Sequence, residues 1–262
     1  MRYTSINITP KQKEIMMFIY KFRFLNRIQI QTLLCHKDPK RINVWLKDLV
    51  EKKYLGRIYS KKLFENTKPA IYYVAIKGIH FFEKRGECNP RVLLRLRKEP
   101  YHSARFRNHS LFLAQIYIDL TKKPNPSYIL DTFLTKVDLI SYKDTPHIFP
   151  DAFIKLFKYT GKSKQAKRYF LILIDEGTPR FYLKHMIKKY LDYFSEDHSQ
   201  EIKVFLVCPN ELIRIFLAKF ISKMFDDGYY YDNKADFLLA ISEDVKNKYL
   251  TSNIWMNLKG RN

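Results

Sequence analysis

Two runs in the second half of this chain leave little choice of architecture: YFLILID at 169–175 and IKVFLVC at 202–208 are apolar at both parities. Successive side chains of a strand point to opposite faces, so such runs are stable only in a sheet covered on both sides. Each is followed by a helical pattern, at about 179–194 and 209–226. Two further β-rich runs, YILDTFLT and AFIKLFKY, precede them. Strands alternating with helices predict a mixed sheet with at least one parallel pair, an α/β (α+β) domain over 110–262. The tail segment YYYDNKADFLLAIS reads as one more edge strand followed by a short helix.

The first half is built differently. Thr9-Pro10 before Ile15, Met16, Ile19 and Tyr20 predicts a capped helix over about 10–22. Asn26 caps a second through about Cys35, and Asp38-Pro39 opens a third over about 39–53, with Val44, Leu46, Leu49 and Val50 on its core face. The β-rich runs RIYSKKLF and AIYYVAI, separated by Glu65-Asn66-Thr67-Lys68-Pro69, then form a hairpin, and a short helix ends at Gly86. Three helices followed by a basic hairpin are a winged helix-turn-helix, residues 1–88. The third helix is the one expected in a major groove, with Lys40, Arg41, Asn43 and Lys47 near its exposed N-terminal half. Lys61, Lys62 and Lys68 on the wing meet phosphate or the minor groove. Residues 89–109, with Arg95, Arg97, Arg105 and Arg107, read as a basic connector, lying along DNA or forming the amphipathic start of the next domain.

Charge gives these basic residues a use. Residues 1–123 hold 27 Lys and Arg against 9 Asp and Glu, a net +18, while 124–262 hold 21 against 17, a net +4. A one-sided field of that size recruits polyanions by counterion release, and double-stranded DNA is the expected partner. The competing reading is a winged-helix protein-interaction or transcription-regulatory module, the lysines of the former being solvated surface. Winged-helix readers commonly act as dimers on paired half-sites, and the Tyr-, Phe- and Leu-rich tail from Tyr229 to Trp255 is a candidate contact surface. No apolar run reaches the roughly 18–20 residues a membrane span needs. The N-terminus MRYTSINITPKQKE has no apolar signal core, which predicts a cytoplasmic protein. Cys35, Cys88 and Cys208 are odd in number, far apart and outside any C-x-x-C, so buried thiols are expected rather than disulfides or zinc ligands. No phosphate-binding G-x-x-x-x-G-K-[ST] loop occurs. His102 and His109, without a nearby acid or Cys, are expected to cap a helix or contact phosphate.

Asp151 follows Pro150 at the start of a strand, and Asp175-Glu176 close YFLILI before Gly177-Thr178. Carboxylates at the ends of neighbouring strands are able to converge on a divalent ion that activates water beside a phosphodiester. Lys155 shares the strand face of Asp151, and Lys184, Lys188 and Lys189 lie on the helix after Asp175. Tyr190 and Tyr193 on that helix are read as packing residues rather than nucleophiles.

The order of winged helix, basic connector, His109 opening a helix, Pro150-Asp151-Ala152, apolar strand into Asp175-Glu176-Gly177-Thr178, then Lys184 and Tyr190, resembles the replication-relaxation family of plasmid and mobile-element proteins over about residues 8–207. The resemblance implies DNA binding by the winged helix and a second domain similar to the restriction-endonuclease-like PD-(D/E)xK fold. It links the chain to plasmid replication and to nicking or relaxation of plasmid DNA for transfer, with other replication or transfer proteins as partners. The family pattern carries an acid where this chain has Leu173, and the nuclease signature wants Lys where it has Gly177. Asp151 and Asp175 remain as metal ligands, for Mg2+ or Mn2+ if the site is catalytic, with Lys184 as the nearest basic candidate. The expectation is therefore a DNA-binding protein on a degenerate nuclease-like scaffold, needing no cofactor to bind. A metal-dependent nickase is the alternative.

Overall fold

Thr9 starts the first helix as its context predicts. Its hydroxyl accepts a hydrogen bond from the Gln12 backbone N–H at 3.2 Å, and the Gln12 side chain returns one from the Thr9 N–H at 3.0 Å, a capping box that satisfies two otherwise orphaned donors. Helix α1 (Pro10–Phe22) buries Ile15, Met16 and Ile19. Strand β1 (Leu25–Asn26) leads into α2 (Arg27–Leu33), capped reciprocally by Asn26 and Gln29. Helix α3 (Pro39–Glu51) has Asp38 as its cap, accepting from the Lys40 N–H at 2.8 Å. Gln12 also donates to Asp48 at 2.6 Å, tying α1 to α3. Strands β2 (Leu55–Ile58) and β3 (Ile71–Val74) complete an antiparallel sheet in the order β1-β3-β2. Gly56 in β2 is required by a close approach, because a Cβ there would fall 2.0 Å from the Tyr73 ring. Helix α4 (Ile76–Arg85) ends at Gly86, whose left-handed φ of 63° lets its N–H bond back to Phe82 and Glu83.

The computed structural model describes residues 8–59, 68–122, 127–141, 146, 149–160, 163–195, 201–226, 235–248 and 250–259. The chain divides into two compact units, 1–118 and 119–262. Residues 89–109, expected as a connector, are folded within the first. Helix α5 (Pro90–Leu96) buries Val92, Leu93 and Leu96, a 3₁₀ turn spans Glu99–Tyr101, and α6 (Ala104–Lys122) begins before His109 rather than at it. The interleaved apolar residues decide this, because Val92, Leu93 and Leu96 share one helical face and leave Arg91 and Arg95 on the other.

Glu99 explains why that segment packs where it does. Its carboxylate is fully buried and accepts from Arg23 Nε at 2.7 Å, with Arg23 Nη2 2.6 Å away. Its second oxygen has no hydrogen-bond partner. Burial outweighs the Arg23 charge and pushes the Glu99 carboxyl up to about 7. A carboxyl raised in the fold binds its proton more tightly folded than unfolded. Its contribution to stability is therefore full below the ordinary Glu range and lost as pH rises through about 7. Glu99→Gln is expected to flatten the stability profile between pH 5 and 8, removing a pH-dependent loss of up to about 3 kcal/mol. Chemical denaturation across that window checks this, and an unchanged slope refutes it.

The second unit is a single six-stranded sheet in the order β4-β5-β6-β7-β8-β9. Strand β4 (Tyr128–Thr135), a short helix α7 (Lys136–Leu139), β5 (Ala152–Thr160) and β6 (Ser163–Leu173) make an antiparallel meander. Helix α8 (Arg180–Ser195), β7 (Ile202–Cys208), α9 (Glu211–Asp226) and β8 (Asp236–Ile241) add the parallel crossovers. Helix α10 (Ser242–Lys248) leads to an antiparallel edge, β9 (Met256–Lys259). Phe170, Ile172, Val204, Leu206, Phe237 and Leu239 pack one sheet face against Leu183, Ile187 and Tyr190 of α8 and Leu217 and Ile221 of α9. Leu171, Leu173, Phe205 and Val207, at the other parity, are buried too, as apolar runs of this kind demand.

The strand expected at an edge, β8, is interior. Phe237 and Leu239 are fully buried in their own unit, and so is most of Leu250, so these apolar residues of the proposed dimer surface are spent on the chain's own core. Tyr229 to Tyr231 lie outside the described residues. Cys88 and Cys208 are buried with raised thiol pKa values, while Cys35 is exposed. Among the described residues no helix is long and apolar enough to cross a membrane.

Candidate functional site

Helix α3 separates its residues by face. Ile42, Leu46 and Leu49 are buried, while Lys40, Arg41, Asn43 and Lys47 are exposed on the opposite side; Val44, expected on the core face, is exposed with them, one position out of step with Leu46 and Leu49 on the helical period. The Arg41 guanidinium lies 5.6 Å from the Trp45 ring centroid, and His36 meets the same ring edge-on at 5.2 Å. These contacts brace the outer face of the helix without neutralising it. Lys47 and Glu51 form an exposed i,i+4 pair at 3.7 Å, a pairing worth a few tenths of a kcal/mol and easily exchanged for phosphate.

Of the wing lysines, Lys68 is exposed, and Lys61 and Lys62 lie outside the described residues. Arg57 in β2 stacks over Tyr59 at 4.8 Å. Arg95, Arg97 and Arg105 are exposed, with Arg97 3.4 Å from Glu83. Arg107 is half-buried and donates to the His102 carbonyl, which makes it part of the packing of α6. His102 stacks on Phe106 with ring centroids 4.1 Å apart and sits 3.1 Å from Arg23 Nη2. Burial first, then the Arg23, Arg107 and Lys98 charges, lower its pKa. His102 packs within the first unit, stacked on Phe106 and edge-on to Phe24.

In the second unit, the antiparallel pairing of β4 with β5 places Thr135 opposite Ala152, which brings Lys136 against Asp151. Asp151 is buried, and both of its carboxylate oxygens are engaged. Oδ1 accepts from Lys136 Nζ at 2.6 Å and Oδ2 from the Leu173 backbone N–H at 2.7 Å. Leu173, which offers no acid of its own, supplies Asp151 with a main-chain donor instead. Desolvation draws the Lys136 pKa down, but the Asp151 carboxylate and its hydrogen bond, with smaller contributions from Tyr182 and Asp175, leave it above its ordinary value. More than half of the Lys136 side chain still faces solvent, so the desolvation it suffers is limited and the ion-pair direction prevails.

Asp175 lies beyond the end of β6, in a turn. Its carbonyl accepts from the Thr178 N–H at 3.2 Å and the Thr178 hydroxyl at 2.7 Å, and Gly177 takes φ 74° inside the turn. Strand pairing stops before Glu176, which is exposed in that turn rather than on a strand face. Lys155 does not join Asp151 but pairs with Asp131 at 2.9 Å. Lys184 projects over the α9 rings of Phe216 and Phe220, at 5.9 and 5.6 Å. Tyr190 is fully buried, and burial followed by the Asp151 charge raises its pKa well above the ordinary tyrosine value, so it is a packing group.

A divalent magnesium or manganese ion asks for several free oxygen ligands. Asp151 offers an oxygen held by an ammonium and another held by a backbone N–H. Among the described residues no three His, Cys, Asp or Glu side chains are grouped to hold a metal. The donor set does not fit the ion that the nuclease-like alternative requires. Lys136, missed in the sequence, is the residue that changes the chemistry. Its only local signal is its position directly after Thr135, which with Asp138 makes a capping box.

The chain is therefore a two-unit α/β protein whose first unit packs helices on a three-stranded antiparallel sheet and whose second is built on a mixed six-stranded sheet. It belongs to the replication-relaxation family, whose model matches residues 16–206. Comparison with the curated proteins finds no match. Among solved structures, the restriction endonuclease FokI is similar at 11% identity with a TM-score of 0.29, over 93% of this chain and 45% of that one. The chain thus spans less than half the length of that neighbour.

Proposed function

We propose that this chain binds double-stranded DNA through α3 and its wing, in the replication or relaxation of a plasmid or mobile element, and that its second unit is a nuclease-like scaffold without cleavage chemistry. The observation that carries the reading is the division of α3, whose outer face offers Lys40, Arg41, Asn43 and Lys47 while its inner face is core. In a major groove, Arg and Lys address guanine and phosphate and Asn addresses adenine. Binding itself requires no metal. The reading of a scaffold without cleavage is supported by Asp151, whose charge is already balanced by Lys136 at 2.6 Å.

Supercoiled plasmid incubated with the purified protein and Mg2+ or Mn2+ is expected to remain supercoiled while being retarded on a gel. Metal-dependent nicking that disappears in both Asp151→Asn and Asp175→Asn, at unchanged DNA affinity, overturns the scaffold reading in favour of a nickase.

A further inference from the structure

The sheet of the second unit has a side that the described helices leave half open. Along β5, Phe153, Lys155, Phe157 and Tyr159 alternate onto one side. Phe153 is paired with Phe170, which packs under Tyr193 and Phe194 of α8 with ring centroids at 5.8 and 6.4 Å. Towards the hairpin end of β5 that cover gives out. Phe157 and Tyr159 are half-buried, and their neighbour Ile129 is 55% exposed.

Cross-strand pairing assembles cations around these rings. Lys155 stands opposite Arg168, Tyr159 opposite Lys164, and Phe157 between Ile129 of β4 and Ala166 of β6. The Lys164 and Lys155 ammoniums lie 3.7 and 5.1 Å from the Phe157 ring centroid. Lys155 pairs with Asp131, whose charge also reaches Lys164; among the described residues no carboxylate lies within ion-pair distance of Lys164 or Arg168. The residue of β6 directly opposite Phe157 is an alanine, so from that strand the ring meets the Lys164 ammonium rather than an apolar side chain.

We propose that this open sheet face is a second nucleic-acid site, taking single-stranded DNA with bases stacked on Phe157 and Tyr159 and phosphates on Lys155, Lys164 and Arg168. Charge complementarity selects the occupant: an apolar partner would strand unpaired cations, and a duplex hides the base faces the two rings would stack on. A sequence-tolerant single-strand surface joins π-faces to a basic track in this way. The site does not depend on α3. It gives the protein a hold on a strand exposed when a duplex opens, separate from the one that holds the duplex.

The test uses the full-length protein and fluorescent oligodeoxythymidylate of about 20 nucleotides, followed by anisotropy. Phe157→Leu keeps apolar volume but loses the π-face, and is expected to weaken oligonucleotide binding about fivefold or more. Phe157→Tyr is expected to bind as the wild type does. Lys164→Glu/Arg168→Glu is expected to weaken it further and to lower the log–log salt slope by about 1.4, two phosphates at about 0.7 each. Melting curves certify that each variant is folded, and the charge-reversed variant carries the test should Phe157→Leu not fold. Wild-type affinity in the charge-reversed variant overturns the proposal, as does wild-type affinity in a folded Phe157→Leu. So does loss of the oligonucleotide in an α3 variant that leaves this face intact, and so does competition by polyglutamate equal, charge for charge, to that of the oligonucleotide. Failure of duplex binding alone leaves this site standing and sinks only the α3 reading.

Discussion

Reversing Lys40, Arg41 and Lys47 to glutamate is expected to lower duplex affinity on the order of a hundredfold or more and to flatten its salt dependence. Three lost phosphate contacts remove about 2.7 from the log–log salt slope, and three glutamates add repulsion. The fold is expected to survive, because these side chains are exposed and the core face of Ile42, Leu46 and Leu49 is untouched. The like-charge pair created with Glu51 costs a few tenths of a kcal/mol. Electrophoretic retardation at several salt concentrations, beside a melting curve, reads both halves of the prediction. Unchanged duplex binding with an intact fold would show that α3 is a protein-interaction surface and that its lysines serve solubility.

Lys136→Met is expected to have the largest effect on stability of any exposed-residue substitution in the second unit. It leaves the buried Asp151 carboxylate without the ammonium that balances its charge, and stranding one member of a buried pair costs about 3–5 kcal/mol. Solvent reaches Lys136, so the lower end applies, about 3 kcal/mol. For a chain of this size that corresponds to a fall in melting temperature of roughly 6–12 °C. Lys136→Arg is expected to recover most of it. A Met variant that melts with the wild type refutes the structural role of the pair. A rise in wild-type melting temperature on adding Mn2+, lost in Asp151→Asn, would show that the carboxylate accepts a metal after all.

What could be read in the sequence was what is fixed locally. Thr9, Asn26 and Asp38-Pro39 mark helix starts because each satisfies donors within three residues of itself, and Gly86 marks an end because its φ suits glycine. The runs at 169–175 and 202–208 announced a covered sheet because both parities are apolar. Partners set by long-range pairing were not legible. Lys136 reaches Asp151 across the β4–β5 pairing, and Arg23 reaches Glu99 across 76 positions; nothing near either residue encodes the other. Residues 89–109 misled for a different reason. Their arginine density hides a three-residue apolar face, and charge is conspicuous in a sequence where burial is not. The interior position of β8 depends on β9, a four-residue strand too short to stand out.

The aromatic stack that closes the far side of the second unit has a practical consequence. Phe205 lies between Tyr169 and Trp255, with ring centroids 4.2 Å away on each side, and Trp255 is one of only two tryptophans in the chain. The other, Trp45, sits on α3 under Arg41. Each unit therefore carries its own intrinsic fluorophore, one beside the proposed groove-reading face and one wedged against the strands that hold the sheet together. Trp45→Phe and Trp255→Phe turn the protein into two single-reporter molecules, in which light emission separates an event at α3 from the opening of the six-stranded sheet.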